Sequence, residues 1–173
     1  MKLYIVGSVA SGKSTLARKI SKITCIPCHH LDEVVYTPDF TASWGNKKRT
    51  IEERDVLFES ILASSDYIME DTGRDYFMEG MRQADTVILL EIPLIVRQKR
   101  ILFRWIKQNI GIEKCIYKPR FNTLKLMFKW AKDYDTGADG TKMRAAQFQA
   151  KTIVLHNNRE IIKYLNSLKH EVI

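Results

Sequence analysis

Three short stretches hold residues whose types and spacing could do chemistry. Residues 7–15 read GSVASGKST and fit GxxxxGK[ST] at every fixed position. Residues 25–33 read CIPCHHLDE, which crowds cysteines, histidines and acids together. Arg97, Arg100, Arg104 and Lys107 are spaced three, four and three apart, which makes one cationic stripe on a helix.

The first stretch suits phosphate. Gly7 and Gly12 let the chain turn tightly around an anion. Backbone N–H groups from about Ala10 to Thr15 can point inward, and the next helix adds the partial positive charge of its N-terminus. Lys13 would reach the β- and γ-phosphates, and Ser14 would offer its hydroxyl to Mg²⁺. The expected ligands are therefore ATP and Mg²⁺, held by Gly7, Ser8, Ala10, Ser11, Gly12, Lys13, Ser14 and Thr15. The flanks agree, because an apolar strand over Lys2–Val6 precedes the loop and an amphipathic helix over Leu16–Ile23 follows it.

CxxC and CxxCH can mark zinc, haem or redox sites. Here no second CxxC or HxxxH pair completes four ligands, and Cys115 and His156 stand alone. The stretch reads instead as the second strand, Ile26–Leu31, with Cys28 and His30 on one face and His29 and Leu31 on the other. Asp32 falls just past its C-terminal end, where ligands sit in open α/β sheets. It is expected to bind an acceptor hydroxyl or help hold Mg²⁺; the plainer alternative is a turn-forming or capping acid.

The basic stripe carries much of the net charge of +8. Residues 97–132 hold eleven Lys or Arg against one acid, Glu113, a local field that attracts phosphates. Leu94, Ile101, Leu102 and Trp105 lie on the neighbouring face, free to pack. Arginines on such a segment can neutralise charge on a transferring phosphoryl, so the expected catalytic set is Lys13, Arg97, Arg100 and Arg104. The alternative is a solvated face. Phe103, Trp105, Phe121, Phe128 and Trp130 have spacings that suit core packing.

A third strand, Tyr67–Met69, ends in Glu70 and Asp71. Either acid could hold Mg²⁺; Asp71 is preferred because Thr72-Gly73-Arg74 follows, so that Arg74 would face an incoming anion. The expected metal set is Ser14 and Asp71, and the expected acceptor set is Asp32 and Arg74. Near the C-terminus, Arg159 could stack on an adenine ring, or the loop could be a plain turn capped by Asn157 or Asn158.

The remaining pattern supplies the scaffold. Thr37–Asn46 reads as loop, Thr50 as a helix cap with Glu53 as its partner, and Tyr76–Gln83 as a short helix. Thr86–Ile92 reads as a buried strand, and Pro93 to about Asn109 and Asn122–Tyr134 as basic helices. A turn-rich break spans Asp135–Thr141, then a strand Thr152–Leu155 and a helix Asn158–Leu168 close the chain. Strand and helix alternation predicts an α/β fold, with a parallel sheet covered on both faces. Residues 1–173 read as one domain with no repeat or linker. No apolar run reaches a membrane span, and the N-terminus lacks a long apolar signal segment, so a cytoplasmic location is expected. Three cysteines do not suggest a disulfide framework.

Five features together resemble one family. They are the loop GSVASGKST, His30-Leu31-Asp32, Pro38 with Trp44 after it, Tyr67-Ile-Met-Glu-Asp71 before a glycine, and the arginine-rich helix after TVILLEIP. The chain is similar over nearly its whole length to the small adenylate-kinase-like P-loop proteins of the DNA topology modulation (FlaR-like) family. The resemblance implies a five-stranded parallel sheet in the order 2-3-1-4-5. It also implies an acceptor-binding region around residues 36–64 and a helical lid around 97–135. Where that family reads Asp-Gly-Asn-Tyr after the third strand, this chain reads Glu70-Asp-Thr-Gly-Arg74. The expected function is an ATP- and Mg²⁺-dependent phosphotransferase acting on a small acceptor such as a nucleoside monophosphate. The alternatives are an ATP-binding regulator that contacts DNA through its basic segment, and a simple nucleotide hydrolase. Expected partners are a nucleotide and a small acceptor, with nucleic acid second and no membrane.

Overall fold

The computed structural model describes residues 1–39, 41–42, 45–113, 115 and 119–172. In chain order its elements are β1 (Lys2–Gly7), α1 (Lys13–Thr24), β2 (Cys28–His30), α2 (Leu31–Val35), β3 (Tyr36–Pro38), β4 (Asn46–Lys48), α3 (Ile51–Leu62), β5 (Tyr67–Asp71), α4 (Met78–Gln83), β6 (Thr86–Leu90), α5 (Leu94–Asn109), α6 (Phe121–Thr136), α7 (Thr141–Ala146), β7 (Thr152–Leu155) and α8 (Asn158–Val172).

Five strands form one parallel sheet in the order β2-β5-β1-β6-β7. Counting only those five strands, this is the expected 2-3-1-4-5. β1 sits in the middle and is buried on both faces, which is why its sequence LYIV is apolar without alternation. Leu3 and Ile5 pack with Leu16 and Ile20 of α1 and Leu165 and Leu168 of α8. Tyr4 and Val6 pack on the other face with Phe58 and Ile61 of α3, Met81 of α4 and Ala145 of α7. Parallel strands bring their C-terminal ends to one edge, and the loops carrying the chemistry leave from there.

The expected cap of α3 is present. Thr50 accepts the Glu53 N–H at 3.2 Å, and its own N–H donates to the Glu53 carboxylate at 3.0 Å. Other expectations are corrected. The second strand is only Cys28–His30, because Leu31 opens α2. The stretch read as loop from Thr37 holds most of an antiparallel hairpin, β3 with β4. Its strands are three residues long and contain Pro38, Lys47 and Lys48, so no apolar alternation announces them. The turn-rich break expected over Asp135–Thr141 is shorter, because α6 runs to Thr136 and α7 opens at Thr141. Trp44 lies outside the described residues, as do residues 114 and 116–118 of the expected lid region. Among the described residues, no helix is long and apolar enough to cross a membrane.

Candidate active site

The phosphate loop leaves β1 at Gly7. A Cβ there would meet the Leu90 carbonyl at 2.9 Å, so a larger residue would push the loop off β6. Ala10 and Gly12 both have positive φ, 57° and 104°, which curls the chain before α1 begins. α1 starts at Lys13 with no side-chain cap and no acid in its first turn, which leaves its N-terminus suited to an anion. Lys13 Nζ donates to the Ser8 carbonyl at 2.9 Å. The Ser11 hydroxyl is buried with no hydrogen-bond partner.

Beside the loop, β5 delivers two acids to opposite faces. Glu70 follows Ile68 toward α1; its Oε1 accepts the Ser14 hydroxyl at 2.8 Å and lies 2.8 Å from His30 Nδ1. Asp71 follows Tyr67 and Met69 toward the other layer. Its side chain is fully buried, and its Oδ2 accepts the backbone N–H groups of Gly73 at 2.7 Å and Arg74 at 2.6 Å. Its other oxygen pairs with the Arg74 guanidinium. The structure thus brings Glu70, rather than the preferred Asp71, to Ser14. Adjacent residues of a strand face opposite ways, and Glu70 is the acid on the Ser14 side.

Burial alone would raise the Glu70 carboxyl. The His30 hydrogen bond, the Lys13 charge and the Ser14 hydroxyl outweigh it and hold the group below its ordinary value. The same hydrogen bond holds His30 above its ordinary value against its own burial. Burial chiefly lowers Lys13, with Glu70 opposing.

Asp32 sits in the first turn of α2 with its side chain well exposed, and it pairs with Arg74. Arg74 thus bridges Asp71 below and Asp32 at the surface. Burial would lower its pKa, but the two carboxylates raise it. Arg144 of α7 braces this turn by donating from Nε to the Gly73 carbonyl at 2.5 Å.

The arginine stripe divides on folding. Arg97 is buried, not facing the cleft as expected. Its Nε donates to Ile92 O at 2.7 Å, and its Nη1 donates to the Ser8 hydroxyl at 2.6 Å and to Ala131 O at 2.9 Å. Its Nη2 pairs with Asp135, and the guanidinium lies 5.1 Å from the Tyr134 ring centre. Arg97 is only about 40° around the helix from the buried Ile101, so packing α5 on α6 carries both inside. Arg100, a turn further on, donates to Ala10 O at 3.2 Å and Ser11 O at 2.8 Å and so lies on the phosphate loop. Arg104 is half-exposed, lines the same cleft and pairs with Glu113 at 3.3 Å. Leu94, Trp105 and Phe128 pack at the α5–α6 seam, but Leu102, Phe103, Phe121 and Trp130 are exposed rather than core residues.

One cleft of about 1940 Å³ joins these parts, lined among others by Gly12, Lys13, Glu70, Asp32 and Arg100. Pockets for single small molecules measure about 300–1,000 Å³, so there is room for two. Arg159 does not line it. It is exposed at the start of α8, where Asn157 caps the helix: its side-chain Oδ1 accepts the Glu160 N–H at 3.0 Å, and its Nδ2 donates to the Glu160 carboxylate at 2.6 Å. Cys25 is exposed at the end of α1, and Cys28 packs beside the α1 layer. Sequence reasoning weighed Glu70 but ranked it second to Asp71, and gave no site role to His30, Arg144 or Arg49. The alternation of β5 signals that Glu70 and Asp71 part company, though not which one meets the loop.

No protein-family model matches the chain, and no curated protein matches it in sequence. Solved structures do. Shikimate kinase from Bacteroides thetaiotaomicron is 15% identical, with a TM-score of 0.57 over 98% of this chain and 97% of that one. Gluconokinase from Sinorhizobium meliloti 1021 is 14% identical, with a TM-score of 0.55 over 99% and 94%. Shikimate kinase from Aquifex aeolicus vf5 is 16% identical, with a TM-score of 0.53 over 99% and 98%. At such identities the likeness is one of fold alone, a five-stranded parallel sheet flanked by helices.

Two outcomes follow from the buried polar groups. Arg97→Met leaves Ser8, Ile92, Ala131 and Asp135 without their donor and should lower stability by about 3 kcal/mol in urea denaturation, with Arg97→Lys intermediate. The His30–Glu70 bond acts through pH. With His30 raised, its contribution is complete below about pH 6.5 and is lost as pH rises through the raised value; with Glu70 lowered, its contribution is present above about pH 4.3 and is lost as pH falls through the lowered value. Between about pH 5.5 and 8.5, wild type should therefore lose more urea stability than His30→Gln.

Proposed function

We propose that the chain is a phosphotransferase that moves the γ-phosphoryl of ATP, with Mg²⁺, to a hydroxyl of a small acceptor. The observation that carries this reading is the cleft itself, in which a phosphate loop and a separate Asp32–Arg74 pair face common space. The fold likeness supports it, since the similar structures are those of kinases for shikimate, gluconate and a sugar.

The donor end fits its ligand. Lys13, the positive-φ loop, the orphaned Ser11 hydroxyl and the uncapped N-terminus of α1 suit a polyphosphate. Ser14 and Glu70 form an oxygen set suited to Mg²⁺. When bound, that ion neutralises charge on the donor phosphates. Asp32 accepts the acceptor's hydroxyl proton while Arg74 holds its carboxylate in place. The acceptor oxygen then bonds to the γ-phosphorus as the bridging P–O bond breaks, and ADP leaves with the electron pair. Arg100 and Arg104 neutralise charge on the moving phosphoryl group, and Arg97 positions the loop through Ser8. Sugar acids and polyols are the first acceptors to try, followed by a nucleoside monophosphate accepting at a ribose hydroxyl.

Transfer from γ-labelled ATP across such a panel tests this reading. Lys13→Ala should lower turnover by roughly 10²- to 10³-fold with the fold intact. Glu70→Gln should raise the Mg²⁺ requirement, whereas Asp71→Asn should raise the acceptor KM without moving the Mg²⁺ requirement. Full activity in Lys13→Ala would end the assignment.

A second reading, an ATP-dependent regulator that binds DNA, draws on the exposed Phe103, Phe121 and Trp130 beside Lys99, Arg104 and Lys129. It predicts a shift of labelled duplex at low salt, with affinity falling linearly in log–log against salt concentration. No shift at low salt would remove it.

A further inference from the structure

The acceptor side of the cleft holds an arginine, Arg49, whose side chain has no partner among the described residues. Arg49 follows β4, and its backbone N–H donates to Val35 O at 2.8 Å, which fixes it at the end of α2. Its side chain lines the cleft. Yet its Nε is buried with no hydrogen-bond partner, and among the described residues its guanidinium makes no hydrogen bond or ion pair.

The other cleft arginines differ: Arg18 is exposed to solvent, and the rest have partners. Arg74 is neutralised by Asp32 and Asp71, and Arg104 pairs with Glu113. Arg100 and Arg144 are committed to backbone carbonyls. Among the described residues, Arg49 is the arginine with a buried nitrogen left unpaired. A buried, unsatisfied donor on a charged group is tolerated where a ligand completes it. Tyr36 and Asn46, on the hairpin that delivers Arg49, line the same cleft and can add neutral hydrogen bonds.

We propose that the acceptor carries an anionic group, a carboxylate or a phosphate, that seats on Arg49, in addition to the hydroxyl offered to Asp32. The proposal rests on the phosphotransferase reading above. A planar guanidinium fork suits either anion. α2 spaces the two anchors: Val35, which holds Arg49, stands three residues after Asp32, about 4.5 Å of helix rise. A small molecule can therefore meet both. A site built this way discriminates sharply against the neutral analogue, because losing the anion leaves the arginine unpaired.

Calorimetry and transfer together test it. Inorganic phosphate and, separately, acetate are titrated into protein saturated with Mg²⁺ and a non-hydrolysable ATP analogue, so that the phosphate loop is filled. At least one anion should bind. That binding should weaken at least tenfold in Arg49→Gln and recover in part in Arg49→Lys, with affinity for the analogue unchanged. Preference for phosphate points to a phosphomonoester acceptor, preference for acetate to a carboxylic acid. Equal binding in wild type and Arg49→Gln, or no binding in either, would overturn the proposal. Transfer is then measured on matched pairs, a nucleoside monophosphate against its nucleoside and a hydroxy acid against its amide. Equal transfer to the neutral partners would sink the anionic acceptor and leave the phosphotransferase standing. Anion binding that depends on Arg49, with transfer to none of the pairs, would keep the anion site and remove the phosphotransferase reading.

Discussion

Strand geometry divides the labour of this site. Glu70 and Asp71 are neighbours at the end of one buried strand, and a strand turns successive side chains to opposite faces. One acid must meet α1 and the phosphate loop; the other must meet the layer of α3, α4 and α7. Because β5 lies between β2 and β1, both acids emerge at the sheet edge where the loops gather. On the proposed phosphotransferase reading, the donor half of the cleft is organised around the Glu70 side and the acceptor half around the Asp71 side. A register slip of one residue would exchange their roles.

The same economy governs the arginines. A guanidinium has five donors and keeps its charge in any protein environment, so its use is decided by how many of those donors the fold consumes. Arg97 commits four of the five to Ile92, Ser8, Ala131 and Asp135 and becomes part of the scaffold. Arg74 keeps a partly open edge while two carboxylates hold it still. Arg100 rests on carbonyls, which are weaker anchors than carboxylates and can be exchanged for a phosphate. Burial, rather than residue type, sorts scaffold from chemistry.

Much of this was legible in the chain. The phosphate loop and the position of Asp32 past the second strand are carried by local patterns, namely a glycine-rich motif, apolar strands and helical spacing; the strand order followed only from the family resemblance. What was not legible depended on which face meets which neighbour. The spacing of Arg97, Arg100 and Arg104 describes one stripe, but only the packing of α5 against α6 and the loop places Arg97 inside it. Likewise Phe103 and Trp130 have core-like spacing on helices too few in neighbours to bury them. The β3–β4 hairpin escaped because its strands are three residues long and partly charged. Arg49 escaped with it, since an arginine between Lys48 and Thr50 looks like ordinary surface.

The Arg97 clamp also has a mechanical meaning. It ties the root of α5 to Ser8 in the loop and to Ala131 and Asp135 on α6, so the two helices and the loop share one fixed point. An arm anchored there cannot swing from its base. Any bending of α5 and α6 over the cleft must take its fulcrum beyond that turn, and Arg100, one turn out, is the first charge on the lever. Displacement grows with distance from the fulcrum, so Arg104 and Lys107 would travel furthest while the loop stays still. On the proposed reading, the fold thus separates a stationary grip on the donor from a reach that can adapt to the acceptor.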